Sequence, residues 1–380
     1  MRSHRVFDDS GRRRNRLERP GYWQNRCGFA FSPHELDANA EAWKRRKLDV
    51  IERRFEREKC GLRVMAMRAK GRIGATGMGC LFLWAGAGAA DRFAFVWPTP
   101  DTAWAENKPA AQWLQHGGSG DPASGGFGGV RSSGARFHEG IDIKPVARDR
   151  SGAPLDSIFA ALTGVVRHVN ASPGESGYGR YVVLEHPGMT PAVYTLYAHL
   201  ARIAPGVRVG SAVVAGQVLG TMGHSSGGYM IPAARAHLHF EIGVAVTRDF
   251  QAWYDRRKFG SRNEHGMWNG LNLLGVDPVA FANEWKVGRL TSALDFFNRM
   301  ETAVRLRIAT YRTPDFVTRY PSLLTKPMPL GPVAGWEVRF NWTGLPFAWT
   351  PLTTPEVAGL PPQQPRLVEV DAAIERRERS

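Results

Sequence analysis

Gly164-Val165-Val166-Arg167-His168-Val169, Tyr181-Val182-Val183-Leu184-Glu185 and Val193-Tyr194-Thr195-Leu196-Tyr197 are short runs rich in β-branched and aromatic residues. Similar runs flank them: Ile158-Phe159-Ala160-Ala161-Leu162 before, then Val207-Arg208-Val209-Gly210, Gly216-Gln217-Val218-Leu219-Gly220 and His237-Leu238-His239-Phe240-Glu241 after. Glycine turns separate them, and none is long enough for a typical helix. Strands this short and this regularly spaced predict a mainly β fold, an antiparallel β-sandwich or barrel-sandwich-like domain.

Outward from this block the composition changes. Residues 91–133 are rich in Gly, Pro, Ser and Ala, loosest over Gly117 to Gly129, and read as an extended lead-in. Residues 246–276, with Trp253, Tyr254 and Trp268, read as an insertion or lid within a domain running from 134 to 285. There Trp253 and Trp268 are expected to be insertion core rather than sugar-stacking platforms. Asp277-Pro278-Val279-Ala280-Phe281 looks like the start of a short closing helix. Residues 286–380 form an extension of unassigned role. In it Leu290 to Arg307 is expected to be an amphipathic helix with Leu294, Phe297 and Val304 along one side. Trp336 to Phe340 reads as one strand, and the last fifteen residues read as a charged, helical or frayed tail.

The formal charge of +15 raises a nucleic-acid reading, so its location decides. Residues 1–72 hold 20 of the 50 Lys and Arg and 10 of the 35 Asp and Glu, which leaves only +5 for the rest of the chain. The basicity is not a groove along the body, and no nucleic-acid partner is expected. A mildly cationic body suits an anionic polymer such as a cell wall.

Met67-Arg68-Ala69-Lys70-Gly71-Arg72 is a basic run, followed by an apolar or small stretch from Ile73 that closes on Ala87-Gly88-Ala89-Ala90. Basic region, apolar region and small-residue end, in that order, are the pattern of a secretory signal. Residues 67–90 are therefore expected to direct export to the periplasm or cell envelope, meeting the membrane only in transit. The 66 residues upstream have two readings. Either translation starts at Met65 or Met67 and the stretch 1–66 is a gene-model artefact, or it is a charged cytoplasmic extension. All three cysteines, Cys27, Cys60 and Cys80, precede a cut near Ala89, and a cysteine-free exported protein suits an oxidising compartment.

The chemistry sits in Phe137-His138-Glu139-Gly140-Ile141-Asp142-Ile143, Tyr197-Ala198-His199-Leu200 and His237-Leu238-His239-Phe240-Glu241. Alternate residues of a strand face one side, so His237 and His239 enter one cavity together. Two inward imidazoles are costly to bury without a partner, and a divalent cation resolves that cost. His138, Asp142 and one histidine of the pair supply the three protein ligands of a catalytic zinc site, which keeps a fourth position open. The histidines left over fit the acid and base work of hydrolysis.

The three segments resemble the H-x-G-x-D, Y-A-H-L and H-L-H-F-E motifs of the M23 (lysostaphin/LytM-type) zinc metallopeptidases, over roughly residues 134–245. The resemblance implies that His138, Asp142 and His239 bind zinc and that His199 and His237 are catalytic. It implies a peptidoglycan endopeptidase that uses zinc-activated water and a histidine base, with the two histidines' jobs unseparated. A non-catalytic cell-wall-binding or hydrolase-activating protein on the same fold is the alternative, though it normally goes with a lost ligand. One departure concerns the turn before H-L-H, where family members carry a short Gly-Ser turn and G-P. Here Gly223 to Gly228 is followed by Tyr229 to Arg235, a longer loop that would reshape one groove wall. Tyr197 is expected to pack, and His116, His168, His186, His224 and His265 are expected to lie outside the site.

Overall fold

The computed structural model describes residues 93–118, 120–131 and 136–371, so both readings of residues 1–66 and the signal at 67–90 lie outside the described residues. The fold is mainly antiparallel β. Strands β1 (Val130–Arg131) and β2 (Arg136–Phe137) pair as a small hairpin ahead of β3 (Ile141–Ile143). Then follow β4 (Ser157–Phe159), β5 (Gly164–Asn170), β6 (Tyr181–His186), β7 (Val193–Ala198), β8 (Arg202–Ile203), β9 (Ala212–Val213), β10 (Val218–Thr221), β11 (Leu238–Ala245) and β12 (Leu273–Val276). The principal sheet runs β12-β11-β7-β6-β5-β9, with β3 also pairing β11, and β4-β10-β8 form a smaller sheet.

Alternation along β11 divides the molecule. Leu238, Phe240, Ile242 and Val244 enter the main core with Val182, Leu184 and Tyr197. The other face of the sheet carries Tyr181, Val183, Tyr194, Leu196 and Ala198 as a second apolar cluster. His237, immediately before β11, and His239 and Glu241 within it lie at the intervening positions, a two-residue period that puts them on that other face. Tyr197 packs as expected: it is fully buried and its hydroxyl accepts the Ala161 N–H at 2.7 Å.

Several local expectations change. Val207 to Gly210 is a turn rather than a strand, because Gly206 and Gly210 take φ of 86° and 90°, and the pairing residues are Ala212 and Val213. The helix expected from Leu290 to Arg307 is confined to Ala293–Phe297, with a Ser292/Asp295 capping box, and the chain then forms β13 (Val304–Ala309). Leu306 and Ile308 of β13 are buried in alternation, a period of two that overrides the helical reading. With β14 (Gly335–Phe340), β15 (Pro346–Leu352) and β16 (Pro365–Val370) it makes a four-stranded antiparallel sheet, so the start of the expected frayed tail is an edge strand. Leu306, Trp336 and Val338 of this sheet share the main core, and the Tyr320 hydroxyl accepts the Ala245 N–H at the end of β11.

The part of the lead-in at residues 93–115 is anchored to the domain. Trp97 stacks on Trp104 at 4.6 Å, and Val96 N–H donates to Ala161 O. The helix expected at Asp277 spans Pro278–Lys286, capped by the Asp277 side chain, and holds this segment through Trp285 Nε1 to Phe93 O and Trp104 Nε1 to Asn283 Oδ1. Further along, Gln115 N–H donates to Asp142 O and Lys144 N–H to Trp113 O, which fixes β3 from its free side. In the insertion, Phe250, Trp253 and Tyr254 of helix Phe250–Arg257 bury one another, while Trp268 packs half-buried beside the second cluster.

Candidate metal centre

Asp142 and His239 face each other as cross-strand partners on β3 and β11, so the ladder itself brings carboxylate and imidazole together. His138 reaches them from the loop before β3. Gly140 makes that path possible, since a Cβ there would lie 2.3 Å from Phe240 O and 2.8 Å from Glu241 Cγ. His138 Nε2 lies 3.1 Å from Asp142 Oδ1 and 3.0 Å from His239 Nδ1, and His239 Nδ1 lies 3.0 Å from Asp142 Oδ1. All three residues are buried, and their ligand atoms fall within 4.8 Å of one another.

The remaining nitrogens fix the tautomers. His138 Nδ1 faces Gly126 O at 2.7 Å and must donate there, which leaves Nε2 as a lone pair. His239 Nε2 faces Glu241 Oε1 at 2.8 Å, which leaves Nδ1 as a lone pair. Asp142 Oδ2 accepts from Arg131 at 2.6 Å, so Oδ1 is the oxygen turned to the histidines. Three acceptor atoms at about the same separation repel unless a positive charge sits among them. Burial opposes charge on His239, yet the Asp142 and Glu241 carboxylates outweigh it and raise its pKa to about 10, a preference for positive charge that a proton on Nδ1 satisfies and that a cation bound to a deprotonated Nδ1 would satisfy equally. Burial also opposes ionisation of Asp142, but the neighbouring imidazoles, His237 and His138 first, hold its carboxyl well below the usual carboxylate range. This corner of the fold favours a cation, and a borderline N, N, O donor set of this kind fits zinc.

His199 and His237 stand beside the triangle. Strict alternation along β7 would turn His199 away, because it is Ala198 that pairs with His239. His199 instead leaves the strand at φ 61°, in the left-handed region, and its ring comes within 4.8 Å of the His237 ring. His199 Nδ1 donates to Ser225 O at 2.8 Å and His237 Nδ1 donates to Arg235 O at 2.7 Å. Each Nε2 is thereby left as an acceptor, and that of His237 is 3.5 Å from Asp142 Oδ1. Burial lowers both, His199 further because His237 and His239 are close, so both are neutral at pH 7.

The five residues singled out from the sequence are thus brought together. Four more belong to the site. Glu241, fully buried, accepts from His239 and from the hydroxyls of Tyr178 and Tyr194, each at 2.7 Å. Its position in His237-Leu238-His239-Phe240-Glu241, two beyond His239, was the signal for it. Tyr178, Tyr194 and Arg131 carry no such signal, since the loop and the register that place them are tertiary. The other histidines stay out. His186 is buried between Thr163 O and Thr195 Oγ1, and His168 pairs with His265 at 3.3 Å. His116 accepts from Gly118 and Gly120 N–H, and His224 lies on a cavity wall beside Ser225.

An antiparallel β domain thus presents a buried His–Asp–His donor set with two further inward histidines beside it. Residues 136–249 match the family described as Peptidase family M23. Among solved structures the chain is similar to a lytM protein of Ruminococcus gnavus (30% identity, 28% of this chain and 39% of that one, TM-score 0.23). It is also similar to the catalytic domain of the prophage-encoded M23 protein EnpA of Enterococcus faecalis (27%, 31% and 76%, TM-score 0.23). A third is the catalytic domain of lysostaphin from Staphylococcus simulans (22%, 42% and 89%, TM-score 0.26). The chain spans 39% of the Ruminococcus protein's length. No curated protein matches it.

Proposed function

We propose that this protein is a zinc metalloendopeptidase that hydrolyses peptide cross-links of bacterial peptidoglycan, outside the cytoplasm. The observation that carries the reading is the triangle of ligand atoms His138 Nε2, Asp142 Oδ1 and His239 Nδ1, each residue held in place by a partner on its other polar atom. These three residues would hold the zinc. Bound there, it supplies Lewis acidity toward a peptide carbonyl and acidifies water. Around it the chain's own groups do the rest. His199 and His237 each present a neutral Nε2 with the other nitrogen tied to a carbonyl, so either takes a proton from the attacking water and returns it to the leaving amine. Glu241 keeps His239 oriented, and Arg131 keeps Asp142 Oδ1 turned inward. A secretory signal at 67–90 agrees with a substrate in the periplasm or cell envelope. The non-catalytic alternative is not favoured, because all five positions are filled.

Purified cross-linked peptidoglycan is the substrate for the test. Wild-type protein should release soluble muropeptides, a chelator should stop the release, and His239→Ala should abolish it. Digestion that persists in His239→Ala would refute the proposal.

A further inference from the structure

A cavity of about 550 Å³ opens beside His199, walled on one side by the long loop that precedes His237. Its volume lies within the range of small-ligand sites. Ser225 links cavity and catalytic pair: it lines the cavity, and its carbonyl accepts the His199 Nδ1 proton. The rim is Tyr229, Met230 and Ile231, and Met230 is the most exposed of the three at 84%. Arg180 and His224 are the basic side chains on the lining, which contains no carboxylate.

The Arg180 guanidinium has neither a hydrogen bond nor an ion pair among the described residues, in contrast to two other arginines around the site. Arg131 holds Asp142, and Arg148 holds the carbonyls of Ala233 and Ala234 at the far end of the same loop. The Arg180 backbone, by contrast, is fixed. Its N–H donates to Ser225 Oγ at 2.9 Å and its carbonyl accepts from Leu200 N–H at 3.0 Å. Two residues earlier, the Tyr178 carbonyl accepts from His199 N–H and the Tyr178 hydroxyl holds Glu241. One short segment therefore supports the metal side with Tyr178 and offers the cavity a free, planar, five-donor cation with Arg180. Such a fork matches a carboxylate in bidentate fashion. His224 donates Nδ1–H to Ile231 O, so the loop that closes the cavity is tied back to its own wall.

We infer that this cavity is a subsite for a carboxylate-bearing peptide arm, with Arg180 as the residue that recognises the charge. The inference rests on the peptidase reading for its ligand class. It makes the enzyme selective for peptides that carry an acidic group or a free carboxyl terminus next to the bond at the metal centre.

The probe is N-acetyl-D-Ala-D-Ala and its C-terminal amide, titrated into full-length protein by calorimetry, with peptidoglycan hydrolysis followed in parallel. The wild type should bind the acid about tenfold more tightly than the amide, as a charge-assisted pair in a half-exposed cavity allows. Arg180→Gln should bind both equally with an unchanged melting temperature, and Arg180→Lys should recover part of the preference. Equal binding of acid and amide by wild type, or a preference that survives in Arg180→Gln, overturns the subsite. Hydrolysis without any acid preference removes the subsite and leaves the peptidase reading standing. Acid preference without hydrolysis does the reverse.

Discussion

β11 has two faces made by one run of residues, and they do opposite work. Leu238, Phe240, Ile242 and Val244 bury apolar surface in the main core and account for why the strand is there. His237, His239 and Glu241 are just as buried but gain nothing from burial itself, since each polar atom must recover the hydrogen bonds it lost to water. They do so through Arg235, Asp142, Tyr178 and Tyr194. The apolar face tolerates changes of shape at a cost in stability. The polar face is a closed set of donors and acceptors, in which removing one group strands another.

Substitutions on the two faces should separate accordingly. Phe240→Ala, on the core face, should lower stability by about 3–5 kcal/mol, read from urea unfolding, because it removes a fully buried ring and leaves a cavity. Away from the metal centre, His186 gives the pH counterpart. Burial lowers it to about 4, against about 6.5 in the unfolded chain. The unfolded state then binds the extra proton, so its contribution is full above pH 6.5 and falls away as the pH drops toward 4. Summed over that window it amounts to about 3 kcal/mol, and the stability gap between wild type and His186→Leu should shrink as urea curves are taken at pH 7, 6, 5 and 4. On the polar face, Glu241→Gln should leave the fold intact yet weaken zinc binding by about 10- to 100-fold in chelator competition, since His239 loses its orienting carboxylate. The smallest effect belongs to Tyr194→Phe. It deprives Glu241 of one of three donors and should cost about 0.5–1.5 kcal/mol of stability, with catalysis reduced less than by Glu241→Gln.

How much of this was legible in the sequence follows from the same two faces. The period of two in His237-Leu238-His239-Phe240-Glu241 placed both histidines on one side, and applied one step further it reaches Glu241. The β runs that alternate strongly, at 164–170, 181–186 and 193–198, were readable for the same reason. Residues 290–307 misled because Leu294 and Phe297 fit a helix, while the alternation of Leu306 and Ile308 becomes decisive only when β14 lies alongside. Position 199 was equally unreadable from periodicity. By parity it belongs with Tyr197 in the core, and only the left-handed backbone at the end of β7 turns it into the site. Arg131 sits in a glycine-rich stretch with no pattern at all, and its role exists only because the hairpin folds back over Asp142. What alternation cannot convey is how a chain leaves a strand.

The most direct measurement is the metal content of the purified protein, by elemental analysis after dialysis, for wild type and for His239→Ala. One zinc per chain in the wild type, and none in a variant whose circular dichroism is unchanged, is the predicted result. Wild-type protein that carries no zinc and takes none up, or His239→Ala that retains a full equivalent, would contradict a metal centre at His138, Asp142 and His239.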